Sequence, residues 1–456
     1  MPARFVNLDR QTPLLLPCDL RDWLPADHLV HFILDAVEQI PTNHFHVNHR
    51  GTGSAQYPRL IYSYATGRFG SRTIEAATHS DVAVRYLCAN HHPDHASICA
   101  FRTANRAAFQ AAFVTVLQLA QQLRLTRVGT VSVDGTKLQA NASKHAAVSC
   151  QRAGELIQQL QLEVQALVTR AEQADTREAK ETLDIPAELT RRESRRAALQ
   201  QARQVIEART KEMAAAQQAE HQAKVAARQA QRDAGKKPRG REPQPPSETP
   251  DPKAQYNFTD PESRIMKAGT GQHFAQAYNA QAAVDEALLI VGQRVSAAPN
   301  DKQELVASVA AISPVVAGDV HAVLVDSGFY SAAAVQAVEQ NRDGTPSGLT
   351  VYAAVGKQGH HRTLADLLPP SEPAPLATDA PPKEQMARRL QTSVGRQLYK
   401  LRQQTVEPVF GIIKEVLGFR QFSLRGREKA SLEWLLVCVS YNCKRLFALK
   451  QLAAAG

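Results

Sequence analysis

The sequence predicts an α/β protein with a mixed-sheet core, a helical N-terminal domain and a long helical hairpin inserted into the core. Three observations carry this. Two short apolar runs of strand character end in carboxylates, at Thr130-Val131-Ser132-Val133-Asp134-Gly135 and at Val323-Leu324-Val325-Asp326-Ser327-Gly328. Long amphipathic helical patterning fills residues 145–234 between them. Helical patterning also dominates residues 1–125 and the stretch from about Arg388 to Leu449. A chain of 456 residues exceeds one ordinary core, so two or three domains are expected.

Composition narrows the function classes. Lys plus Arg number 54 against 44 Asp plus Glu, a net charge of +10, which favours a polyanionic partner. Between Lys383 and Lys429 eleven basic residues face four acidic ones, so much of the excess sits there. Six cysteines, with no C-x-x-C pair, argue against a zinc knuckle or a disulfide scaffold and fit a reducing cytosol. No apolar run approaches the ~18 residues of a membrane span. Met1-Pro2-Ala3-Arg4 does not open a signal peptide. A cytoplasmic protein is expected, with no membrane partner.

Along the chain, Asp27 is placed to cap a helix through Leu29, Phe32, Ile33 and Val37. A second helix starts near Tyr57-Pro58, and Gly67 to Gly70 break it before a third that Ser71 can cap. Residues 98–116 read as one further helix through Phe101, Phe109 and Phe113. Interleaved arginines, Arg59, Arg68, Arg72 and Arg102 among them, suit a DNA-binding module of helix-turn-helix type. A helical packing domain with a wetted face is the competing reading. The histidine groups His44, His46, His49 and His91, His92, His95 read as loop residues rather than a zinc site.

The strand at residues 128–144 gives way to two helices joined at Asp175 to Asp184, with Asp184-Ile185-Pro186 opening the second. Lys236 to Lys253 reads as a Pro-rich charged linker without order. Tyr278 to Val284 and Leu288 to Val291 form a hairpin turned at Asp285-Glu286. Asp301 and Glu304 suit a capping box before a helix through Leu305 and Val309. Val320 to Val325 is the next strand, Ser331 caps a short helix, and Thr350 to Val355 is the last strand.

Without residues 145–255 this order is strand, strand, strand, helix, strand, helix, strand, helices, which is the RNase H-like order. That arrangement sets the first and fourth strands side by side and makes neighbours of Asp134 and Asp326. Glu407 arrives from a helix packed on the sheet. Three carboxylates are hard oxygen ligands of the kind two Mg²⁺ ions require to attack a phosphodiester. At about 100° per residue, Tyr399, Arg402, Glu407, Phe410 and Lys414 fit a helical arc of roughly 140°. Pro408 requires either a bend at Glu407 or a fresh helix start capped by Thr405. The bland alternative is that each Asp merely ends a strand.

At Tyr399, Arg402, Glu407 and Lys414 the chain resembles the DDE transposases of bacterial insertion sequences that carry a Tyr-Arg-Glu-Lys signature. The spacing here is Y-x2-R-x4-E-x6-K, one residue longer before the Glu than the usual pattern. The resemblance extends through Gly411-Ile412-Ile413, the Glu433-Trp434 helix, Asp260-Pro261-Glu262-Ser263-Arg264, Tyr278-Asn279-Ala280-Gln281 and the N-terminal stretch Tyr57 to Arg102. It implies an RNase H-like catalytic domain, two Mg²⁺ or Mn²⁺ ions, and a catalytic and metal-binding triad of Asp134, Asp326 and Glu407. It further implies nucleoid-associated action on double-stranded DNA, both terminal inverted repeats and target, with cleavage followed by strand transfer. Tyr399, Arg402 and Lys414 would contact that DNA, and a homodimer in the active complex is one candidate. The expected division is 1–127 helical N-terminal domain, 128–144 and 256–456 catalytic domain, and 145–255 hairpin and linker. A nuclease without strand transfer, and a non-catalytic DNA-binding remnant, are the alternatives.

Overall fold

The computed structural model describes residues 19–40, 45, 57–177, 184–233, 235, 241–267, 273–341, 343–356, 372–376 and 380–455. The expected histidine group at 44, 46 and 49 and the joint between the two long helices at 178–183 lie outside them.

The N-terminal region is built from short helices, α1 (Leu29–Glu38), α2 (Tyr57–Ala65), α3 (Ser71–Ser80), α4 (Val82–Leu87), α5 (His95–Ala104) and α6 (Arg106–Gln122). His28, not Asp27, caps α1, its Nδ1 accepting from Val30 N. Gly70, not Ser71, is the cap residue of α3. The single helix expected over 98–116 is broken at Asn105, whose backbone leaves helical geometry at φ −111°, ψ 36°. Its side-chain amide donates to Phe101 O, the kind of local bond by which Asn competes with the helical ladder.

A mixed sheet forms the centre. Strand β1 (Thr130–Gln139) pairs antiparallel with β5 (Phe274–Asp285) on one side and parallel with β7 (Ala322–Val325) on the other. Next to β7 lies β8 (Thr350–Ala353), also parallel. The far edge of β5 carries β4 (Arg264–Lys267) and β6 (Ile290–Ser296). Val131, Val133, Val323, Val325, Val351 and Ala353 are all fully buried, as a parallel centre covered on both faces requires.

One continuous core joins the sheet to the N-terminal helices. Its link is α14 (Arg427–Ala455), which buries residues all round, from Trp434 to Val439. Polar groups on this helix are spent on strand backbone. Trp434 Nε1 donates to Gln281 O at 3.0 Å, and the Asn442 amide both donates to Ile290 O and accepts from Ile290 N. Asn442 thereby satisfies backbone groups beside the irregularity where β5 and β6 change register.

Two long helices, α7 (Cys150–Arg177) and α8 (Ile185–Asp233), leave and return at one place. Short strands β2 (Ala147–Ser149) and β3 (Gln255–Asn257) pair at their base. They carry a second core of Ala153, Leu160, Leu199, Ala202 and Ile206, with Val148 and Tyr256 from the ribbon. Glu163 pairs with Arg192 across the two helices at 2.9 Å. Asp184 caps α8 through Ala187 N. Residues 241–253 have no regular structure, yet they are tied to α8 by Arg228 donating to Arg241 O and by Arg232 pairing with Glu242.

Helices α9 (Leu305–Ala310), α10 (Pro314–Ala317), α11 (Ala332–Glu339), α12 (Pro382–Gln391) and α13 (Ser393–Gly411) are the remaining α-helices among the described residues, and a π-helical turn, Ile412–Val416, extends α13. Among the described residues no helix is long and apolar enough to cross a membrane. Cys88, Cys99, Cys150, Cys438 and Cys443 are free thiols.

Candidate active site

The register of β1 and β7 sets the geometry. Thr130 faces Ala322, Val131 faces Val323 and Ser132 faces Leu324. Carried two residues further, the same register brings Asp134 level with Asp326, one position beyond the end of β7. Adjacent paired strands lie about 4.8 Å apart, and the Asp326 charge is felt at Asp134 despite their distance in sequence. Between Ser132 and Gln139, where Gln421 forms a parallel bridge, the β7 side of β1 has no β partner among the described residues, and Asp134 stands at that opening. The Asp326 carboxylate accepts from Gly328 N at 2.8 Å.

Helix α13 lies across this opening and is fastened to both strands. Tyr399 OH donates to Val325 O at 3.1 Å, beside Asp326. The hydroxyls of Thr405 and Ser132 are hydrogen-bonded at 2.7 Å, two residues before Asp134 on β1. Between these anchors Arg402 reaches Asp134 Oδ2 at 2.9 Å and Glu407 Oε1 at 3.1 Å. One guanidinium thus ties together two of the three expected catalytic carboxylates. Lys414 Nζ lies 3.5 Å from Lys137 O on β1.

Pro408 neither ends the helix nor restarts it; α13 runs through it to Gly411. Thr405 therefore does not serve as an N-cap, and its hydroxyl reaches back to Leu401 O at 2.8 Å. The lost Pro408 donor is followed at once by the π-helical turn, which carries Lys414. This stretch meets the N-terminal region. Gly67, at φ +82°, lies so close that a Cβ there would stand 2.7 Å from Leu417 O, and Phe69 packs edge-on to Phe419.

Electrostatics follow burial. Desolvation pushes the Asp134 carboxyl up to about 6; Arg402 and the Gly135 N–H oppose that rise, and Asp326 and Asp301 add to it. Burial likewise raises Tyr399 and lowers Lys414. Glu407 is half exposed.

Sequence reasoning misjudged Asp301. Its carboxylate caps no helix. It accepts from Asn279 Nδ2 and Gln281 Nε2, each at 2.7 Å, and pairs with Lys137 at 3.3 Å. Glu304 turns instead to Arg294 and Ser296, so the expected capping box is not made. Asn279 and Gln281 stand opposite Lys137 and Gly135 across the β1–β5 ladder. The group closes directly over Gly135, where a Cβ would lie 2.3 Å from Gln281 Nε2 and 2.6 Å from Asp301 Oδ1. Only the residue after Asp134 could have signalled this, since a glycine mid-strand marks a close approach.

The expected DNA-contacting arginines divide. Arg59 and Arg102 are buried, each 2% exposed, and do not face a duplex. Arg102 donates to Tyr64 OH and Phe69 O and lies 3.7 Å from the fully buried Glu433. Arg59 donates to Cys88 Sγ. Their periodic placement is that of residues stitching helices together. Arg68 is partly exposed and paired with Asp81, and Arg72 is exposed. Of the second histidine group, His95 pairs with Glu75 and His92 meets Thr78.

Among the described residues no three His, Cys, Asp or Glu side chains stand together as a ready metal cage. The donor chemistry nevertheless suits a hard divalent cation, because the cationic group already lodged between Asp134 and Glu407 is itself held by carboxylate oxygens.

Residues 377–447 match the family described as Transposase DDE domain. The match spans Tyr399, Arg402, Glu407, Lys414 and Glu433, and leaves Asp134 and Asp326 outside. No curated protein and no solved structure matches the chain.

Proposed function

We propose that this chain, which its C-terminal segment supports as a DDE transposase, is the transposase of a bacterial insertion sequence. It would bind the inverted repeats at the element's ends, cut there and join the ends to target DNA, in the cytoplasm at the nucleoid. The observation that carries the reading is the Arg402 bridge between Asp134 and Glu407, with Asp326 level with Asp134 on the neighbouring strand. The strand order, β6–β5–β1–β7–β8 with only β5 antiparallel to β1 beside it, supports an RNase H-like core. The paired ribbon β2–β3 and the separate core above it support a helical hairpin inserted at 145–255 between catalytic segments 128–144 and 256–456. Residues 1–127 would serve as the helical DNA-binding domain.

Asp134, Asp326 and Glu407 supply the oxygens that would hold two Mg²⁺ or Mn²⁺ ions. Bound there, such ions activate the attacking water or 3′-hydroxyl and stabilise the leaving oxygen. The chain's own residues supply position. Arg402 and Lys414 would be the cations that meet phosphate oxygens, and Tyr399 fixes α13 against β7. Exposed Arg72 and partly exposed Arg68 would add phosphate contacts.

The decisive experiment uses duplexes carrying the element's end with Mg²⁺. Wild type nicks at the repeat boundary, and Asp134→Asn binds the duplex but does not cut. Retained cutting by that variant removes Asp134 from the mechanism. Adding an unrelated target duplex separates strand transfer from plain nuclease action.

A further inference from the structure

Arg402 is nearly buried, with 12% of its side chain exposed, and Asp134 beside it is 17% exposed. Its two terminal nitrogens are given to Asp134 and Glu407. Its Nε is buried and meets no acceptor. Resting on the functional reading above, we propose that Arg402 is a latch. It closes the divalent-cation site until a DNA phosphate takes its guanidinium, which makes cation and DNA binding mutually dependent.

The argument is one of charge and of unmet donors. A guanidinium between two carboxylates occupies the space and the counter-charge that a divalent cation needs. A cation entering while Arg402 stays meets a positive charge at contact distance in a poorly solvated site, where repulsion is strongly felt. Arg402 must therefore move, and a buried guanidinium stripped of both partners is costly. Among the described residues, the carboxylates beside it are already engaged. Asp301 is held by Lys137, Asn279 and Gln281, and Asp326 is one of the carboxylates the cations would use. A phosphodiester brings its own acceptors. The vacant Nε–H and a terminal N–H form a fork that matches two of its oxygens. Neither Lys414, which reaches Lys137 O, nor Lys137, which pairs with Asp301, bridges Asp134 and Glu407, so the latch is Arg402's alone. Linkage then requires that DNA tighten cation binding by the same factor as cations tighten DNA binding at the site.

The test measures Mn²⁺ binding to the full-length protein by electron paramagnetic resonance, with and without a saturating duplex bearing the element's end. Asp134→Asn with the same duplex serves to subtract Mn²⁺ held by the DNA. Wild type is expected to bind Mn²⁺ about tenfold or more tightly when DNA is present, within the usual span of coupling. Arg402→Gln is expected to bind Mn²⁺ without DNA about tenfold more tightly than wild type and to lose the response to DNA. Thermal melting confirms that the variant folds; if it does not, the wild-type comparison and Arg402→Lys, which cannot bridge both carboxylates, decide. Equal Mn²⁺ affinity of wild type with and without DNA overturns the latch. Absence in every arm of Mn²⁺ binding beyond that held by the DNA itself overturns the metal-dependent reading beneath it.

Discussion

Gly135→Ala is the sharpest probe of how the site is held. A Cβ at this position would stand 2.3 Å from Gln281 Nε2, 2.6 Å from Asp301 Oδ1 and 2.7 Å from Asn279 Oδ1. None of these is a loose chain end. Asn279 and Gln281 are 0% and 1% exposed, and both donate to the Asp301 carboxylate. Making room means breaking at least one of those charge-assisted bonds, each worth about 1.5–3 kcal/mol. The alternative is to shift β1 off β5, and overpacking of that kind costs about 1–3 kcal/mol. A loss of about 2–4 kcal/mol is expected, read as a lower urea midpoint at unchanged slope. Gln281→Ala removes the nearest obstacle, so the double variant should lose at least about 1 kcal/mol less than the two singles summed. Gly135→Ala with wild-type stability, or strict additivity in the double variant, would refute the account of a polar clamp closed over the residue after Asp134.

Further outcomes follow from the same geometry. Arg102→Met strands Glu433 without its cation and should cost about 3–5 kcal/mol in urea unfolding, with much of it recovered in Arg102→Met/Glu433→Gln. Gly67→Ala, strained at φ +82° and pressed on Leu417 O, should cost about 1–3 kcal/mol and slow cleavage more than DNA binding, since Leu417 ends the turn that carries Lys414. The pH dependence has a definite sign. Asp134 titrates at about 6 in the fold against 3.8 for the free side chain, so the folded chain keeps a proton that the unfolded chain releases. Its contribution is most favourable below pH 3.8 and is lost as pH rises through about 6. Removing the Arg402 partner carries its own pH-independent cost, so the stability of Asp134→Asn relative to wild type should be about 1–3 kcal/mol more favourable at pH 8 than near pH 4, read by melting across pH. Arg72→Ala should reduce the salt slope of DNA binding by about one, while Arg59→Ala should lower stability without that signature.

What could be read from the chain depended on how local the signal was. Strand β1 was legible because Val131 and Val133 alternate with Ser132 and Asp134, although Ser132 is as buried as its valine neighbours, its hydroxyl meeting Thr405 of α13, and burial alternates only from Thr136 onward. The equal offset of the two Asp-ended runs also carried the β1–β7 register, since parallel neighbours in one sheet share a level. The ends of helices were less legible. Asn105 breaks a helix that its apolar neighbours would have continued, because one side-chain bond to Phe101 O outweighs periodicity. Buried arginines were misread for a related reason. Arg59 and Arg102 have the composition of a DNA-facing surface, and only the fold reveals that a fully buried Glu433 lies opposite Arg102.

The site itself divides along the same line. Which side chains face the sheet follows from helical angles, and Tyr399, Arg402 and Lys414 do meet β1 or the end of β7. What each group binds in the absence of ligand is set by competition, which spacing does not encode. Arg402 has five donors and two carboxylates within reach before any phosphate arrives, so it binds those carboxylates. Asp301 had a local role open to it at a helix start. It is drawn instead to a lysine and two amides on paired strands, where burial makes the interaction stronger. A carboxylate beside a half-buried lysine and two buried donors outbids a solvent-exposed cap, and that comparison exists only once β1 and β5 have been brought together.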